Sequence, residues 1–132
     1  MSSQRRRKEK LEKILRRIAV ESTSGTAIIV EGSRDKEALR KLGLTGQILC
    51  FKSSGKGLTD FLSDIKARKA IVLTDFDKEG RDISARINEE LAHFSIKSDH
   101  VLRKRLGALV RQDARSIQDL FGHVERMRAE ET

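Results

Sequence analysis

Three short, largely apolar runs and a more polar fourth are separated by stretches whose apolar positions fall three and four apart, and that alternation leaves few folds open. The runs are Thr26–Val30 (TAIIV), Gln47–Phe51 (QILCF), Lys69–Thr74 (KAIVLT) and Ser98–Leu102 (SDHVL). The first is the kind of continuous apolar run that a strand covered on both faces requires. Between the runs, residues 34–43 read as a helix with Ala38, Leu39 and Leu42 inward and Gly43 closing it. A second helix carries Leu58, Phe61, Leu62 and Ile65, and a third carries Ile83, Ile87, Leu91 and Phe94. Strands alternating with helices imply right-handed crossovers and a parallel sheet. The expected fold is α/β: a compact, Rossmann-like three-layer sandwich on a mainly parallel four-stranded sheet, with a helix added at each end of the chain.

The added helices differ in character. Arg5–Arg17 carries eight basic and two acidic residues, so +6 of the chain's formal +8 sits there. Leu11, Ile14, Leu15 and Ile18 give it a narrow apolar stripe, able to pack on its own domain or on a second copy. Ser22–Gly25 breaks the pattern. At the other end Ser116 is placed to cap a helix with Ile117, Leu120, Phe121, Val124 and Met127 inward, Asp119 completing a capping box. The chain therefore divides into a basic helix and linker (1–24), a central domain (25–110) and a C-terminal helix packed on it (111–132). A surplus of 28 Lys and Arg over 20 Asp and Glu favours a polyanionic partner, most simply nucleic acid. No apolar run approaches the ~20 residues of a membrane span. No apolar stretch follows the first basic residues, so a secretory signal is not expected and the chain reads as cytoplasmic.

Chemistry in an open parallel sheet gathers outside the carboxyl ends of the strands. The first strand runs directly into Glu31-Gly32, and the third into Asp75-Phe76-Asp77-Lys78-Glu79-Gly80. An acid just before a helix commonly serves as its cap. Three acids at alternate positions also repel one another, a strain that a cation relieves. Carboxylates from neighbouring strands suit Mg²⁺ or Mn²⁺, which keep waters and accept phosphate oxygens. Glu31, Asp75 and Asp77 are the expected ligands of one or two such ions. The adjoining glycines are expected to turn the backbone and to let a phosphate come close.

Val30–Asp35 (VEGSRD) together with Leu73–Gly80 (LTDFDKEG) resembles the Toprim domain, the catalytic fold of type IA topoisomerases, bacterial primases and several nucleases. Its signature is a Glu after the first strand and D-x-D, often D-x-D-x-E-G, after the third. The stretch Glu37–Leu44 (EALRKLGL) is most similar to the bacterial 5S ribosomal RNA maturation nuclease and to small stand-alone Toprim proteins. Phe76 departs from the Pro that topoisomerases usually carry. The resemblance covers roughly residues 26–102. It implies that Asp75 and Asp77 hold Mg²⁺, that Glu31 acts as general acid/base at the 3′ oxygen or as a further ligand, and that Glu79 is auxiliary. A free Glu ionises at about 4.3, so an acid role requires surroundings that raise it.

Composition prunes the activities the resemblance offers. With no Tyr in the chain a topoisomerase nucleophile is excluded, and one Cys cannot build a primase's zinc module. Two readings remain: a Mg²⁺-dependent phosphodiester nuclease, with RNA favoured over DNA, or a non-catalytic nucleic-acid or ribonucleoprotein module. A homodimer or a ribonucleoprotein partner is compatible with either. A phospho-receiver fits poorly, because it wants an acidic pair after the first strand. The other candidates are weaker. Ser53–Gly57 could hold an anion, although it lacks the P-loop pattern. Arg103, Lys104, Arg105, Arg111 and Arg115 form a second basic zone, equally readable as a solvated face. Asp35 reads as a helix-dipole partner, and Cys50 as a small core residue. With no Trp or Tyr, base stacking falls to five Phe, three His or Arg.

Overall fold

The computed structural model describes residues 3–110 and 113–130. Its elements are α1 (Ser3–Thr23), β1 (Ala27–Val30), α2 (Ser33–Lys41), β2 (Ile48–Cys50), α3 (Leu58–Ser63), β3 (Lys69–Val72), α4 (Lys78–Leu91), β4 (Lys97–Asp99), α5 (Val101–Val110) and α6 (Ile117–Ala129). The strands make one sheet, all parallel, in the order β2-β1-β3-β4. The chain leaves β1 towards one edge and crosses back to place β3 on its other side. The β1/β3 boundary is therefore the switch point at which open α/β sheets bind ligands.

Alternation along the strands divides the core. Ile28, Val30, Ile71 and Leu73 belong to one buried cluster, shared with Leu11, Leu15 and Ile18 of α1, Leu39 of α2, Leu106 of α5 and Leu120 of α6. Ala27, Ile29, Ala70 and Val72 belong to the other, with Leu58 and Leu62 of α3 and Ile87 and Leu91 of α4. The three expected layers are present. The stripe of α1 is spent on its own domain, with Ile18 fully buried. The Ser22 hydroxyl accepts from the Gly46 N–H (2.9 Å), and the bidentate Arg128–Glu12 pair ties α1 to α6. Among the described residues no helix is long and apolar enough to cross a membrane.

Two features differ from the sequence reading. The fourth strand ends at Asp99, not at Leu102. The Asp99 carboxylate accepts from the N–H groups of Val101 (2.9 Å) and Leu102 (3.3 Å), so it starts a helix where the apolar pair Val101-Leu102 suggests more strand. That helix, α5, buries Leu102, Leu106 and Val110 and was not anticipated. Arg103 in it is also buried rather than part of a solvated basic face, and Arg111 lies outside the described residues.

Candidate functional site

Both acidic segments reach the same rim of the sheet. Glu31, one residue beyond β1, is 4% exposed. Its Oε2 accepts from the backbone N–H of Asp75 at 2.6 Å, so the two strand ends are joined by a side chain where the ladder stops. Its Oε1 meets the Lys52 ammonium at 2.9 Å, and the same ammonium lies 3.2 Å from Glu79 Oε1. Lys52 follows β2, so residues after three adjacent strands converge here.

Asp75, at the end of the third strand's run, is half-buried. Burial, then the nearby charges of Glu31 and Asp35, push its carboxyl up to about 7. Its Oδ1 is buried without a hydrogen-bond partner. Asp77 is exposed, and its Oδ1 accepts from the Gly80 N–H at 2.7 Å, which makes it the N-cap of α4. Asp35 is buried and shared between two helices: Oδ2 accepts from Gly32 N–H and Oδ1 from Gln118 N–H, both at 3.2 Å. Burial raises its carboxyl above the usual range. It clamps α6 to the β1–α2 turn, a larger part than the dipole role its position suggested.

The two glycines do different work. Gly32 has an ordinary extended φ of −138°, and a Cβ there would find only Asp35 Oδ2, 4.0 Å away. Neither backbone nor packing demands glycine at 32, and the space beside it is open to a visitor. At Gly80 a Cβ would lie 2.0 Å from the Asp75 carbonyl oxygen. The close approach expected of a phosphate is, at Gly80, that of the chain's own backbone.

Lys52 and Arg103 escaped the sequence reading as site residues. The Arg103 guanidinium donates to the carbonyls of Thr74 (3.1 Å) and Asp75, fixing the end of β3 from α5. Only its place within a basic cluster near the rim hinted at this. Lys52 had one signal, a cation just past a strand end. The Ser53–Gly57 loop turns on itself: Ser54 Oγ donates to Phe51 O and accepts from Lys56 N–H, while Lys56 pairs with Asp64.

Among the described residues no three His, Cys, Asp or Glu side chains are gathered closely enough to cage a metal as they stand. The donor set nonetheless suits a hard divalent ion taking a few carboxylates together with water and phosphate oxygens. Asp75 Oδ1 lacks a partner, and a cation, the Lys52 ammonium, already lies between Glu31 and Glu79.

No family model matches the chain. It is 34% identical to a UPF0292 protein of Methanocaldococcus jannaschii over 119 residues, 89% of this chain and 92% of that one. A UPF0292 protein of Pyrococcus furiosus is 35% identical over 120 residues, covering 91% and 88%. A solved structure of an Aquifex aeolicus protein superposes with a TM-score of 0.67 at 25% identity, over 82% of this chain and 95% of that one.

Proposed function

The chain belongs to the UPF0292 family, and from that premise and the acidic rim we propose a Toprim-like protein that acts on nucleic acid with Mg²⁺ or Mn²⁺, most simply by cleaving RNA phosphodiesters. One observation carries the proposal. At the β1/β3 switch point Glu31 is bonded to the Asp75 backbone, beside a buried Asp75 oxygen that has no partner. Asp75 and Asp77 would hold the ion, with Glu31 as a further ligand. When bound, such an ion supplies positive charge against the charge that builds on a phosphate under attack.

The chain's own residues do the rest. As the alternative to ligation, Glu31 handles the proton, oriented by the Asp75 N–H on one oxygen and the Lys52 ammonium on the other. Arg103 keeps the Thr74 and Asp75 carbonyls in place, so the Asp75 carboxyl cannot drift from the rim. The open side of Gly32 gives a phosphate its approach. The chain's +8 charge attracts the polyanion.

A second reading, a non-catalytic nucleic-acid or ribonucleoprotein module, is favoured by the way Lys52 and the α4 cap already engage Glu31, Glu79 and Asp77. Calorimetric titration of Mg²⁺ and Mn²⁺ tests the ion: wild type should show binding heat and the Asp75→Asn/Asp77→Asn variant none. Equal heats remove the metal claim. Structured RNA and DNA incubated with either ion should be cut by wild type and left whole by Glu31→Gln. Binding without cleavage in both forms selects the second reading.

A further inference from the structure

A concave surface of about 530 Å³ opens between the segment after β2 and the first turns of α4, within the ~300–1,000 Å³ range of small-ligand clefts. Half-buried Phe51 and Ile83 supply its apolar part. The Phe51 ring is backed by Phe61, centroids 5.6 Å apart and planes at 57°, so it is held from behind by the core. Lys78 and Arg86 stand at the margin with Asp82. The remaining wall is Lys52 and Glu79, the pair linked to Glu31. Cleft and acidic rim therefore share a boundary.

Composition makes Phe51 stand out. The chain has no Trp or Tyr and five Phe. Phe61 is buried, Phe76 packs on Gly107, Phe121 faces the Lys41 ammonium at 5.7 Å, and Phe94 packs against the α3/α4 core. Phe51 is the one that lines a cleft adjoining the carboxylates.

We infer that this cleft is a nucleobase subsite. A base of the strand whose phosphate reaches Glu31 and Asp75 stacks on Phe51. Lys78 and Arg86 meet a neighbouring phosphate, and the Asp82 carboxylate accepts from an amino group on the base edge. The inference rests on the nucleic-acid reading above and adds what that reading lacks, a residue that senses a base rather than a charge. Stacking on a side chain is tolerant of base identity, so weak sequence preference is expected.

The test uses the full chain with a chelator present, so that nothing is cut. Phe51→Trp places the only indole in the molecule at the cleft, and Phe94→Trp, outside the cleft lining, serves as the control. A short single-stranded oligoadenylate should quench Phe51→Trp emission and leave Phe94→Trp unchanged. An abasic oligomer of equal length should quench neither. Phe51→Leu keeps apolar volume against Phe61 and carries the test even if the tryptophan variant misfolds. It should weaken oligoadenylate binding roughly five- to a hundredfold and leave the abasic oligomer's affinity as it was. Equal quenching by both oligomers, or wild-type oligoadenylate affinity in Phe51→Leu, overturns the subsite while the nucleic-acid reading stands. Wild type binding neither oligomer overturns the subsite, and if Mg²⁺ supplied in place of the chelator does not restore binding, it overturns both.

Discussion

A carboxyl group raised to about 7 titrates within the pH range at which proteins are usually handled, and the sign of its effect on stability follows from its two states. Unfolded, Asp75 ionises at about 3.9; folded, it does so at about 7 because burial and then Glu31 and Asp35 oppose its charge. Below the lower value both states hold the proton and nothing is lost. Stability falls as pH rises between the two values, and the full penalty is present above the upper one. Asp75→Asn has no charge to bury. Without metal it should be more stable than wild type at pH 8 by about 1–2 kcal/mol, the linkage value reduced because solvent still screens this half-buried group, and the gap should close towards pH 4. Urea unfolding at several pH values measures this; parallel curves at all pH would contradict it. The acids themselves were legible, because a strand running into Glu31 or Asp75 puts them at the rim whatever the packing. Their counterweights were not. Lys52 and Arg103 arrive from β2 and α5, and no local pattern ties a lysine or arginine to a carboxylate or carbonyl far along the chain.

At the scale of elements, the start of α4 holds two requirements of different size. Asp77 caps it through the Gly80 N–H, and removing such a cap costs about 1 kcal/mol. Gly80 itself lies against the Asp75 carbonyl, 2.0 Å from where a Cβ would stand, and backbone cannot yield as a flexible side chain does. In thermal melts Asp77→Ala should lose a few degrees, whereas Gly80→Ala should lose more than about 4 kcal/mol or fail to fold. Comparable losses in the two variants would show that the turn relaxes around the methyl group. The strands and α2, α3 and α4 were readable because short continuous apolar runs, buried on both faces in β1, stand apart from the three-and-four spacing of the helices. α5 was missed although Leu102, Leu106 and Val110 keep helical spacing. Asp99 ends a strand and starts a helix within a few residues, and a pattern read in windows cannot separate two elements so close together.

Over the whole molecule, charge and core meet in α1. Its stripe buries Leu11, Leu15 and Ile18 in the larger cluster, so Leu15→Ala should destabilise the entire fold by about 2–5 kcal/mol, seen as one cooperative transition at lower denaturant. Its outer face keeps Arg6, Lys10, Lys13 and Arg17 exposed. Nucleic-acid affinity should fall steeply between low and physiological salt. Changing these four to Gln should flatten the slope of log affinity against log salt by about 0.7 for each single-strand phosphate they would otherwise neutralise. An unchanged slope would place the binding surface elsewhere. The charge of this segment and its apolar stripe were both plain in the sequence. Which surface the stripe would cover was not, since a domain face and a second copy present similar apolar area.

The Arg128–Glu12 pair spans 116 residues of chain, and that separation orders events during synthesis. When α1 emerges from the ribosome, the helices that cover it, α5 and α6, do not yet exist. The burial of Leu11, Leu15 and Ile18 cannot be completed until nearly the whole message has been read, and long-range pairings of this kind are slow to close. A nascent chain stalled before residue 101 would carry an incompletely covered greasy helix whose Arg5–Arg17 segment holds +6 of the protein's net +8, a natural client for the cell's holding chaperones.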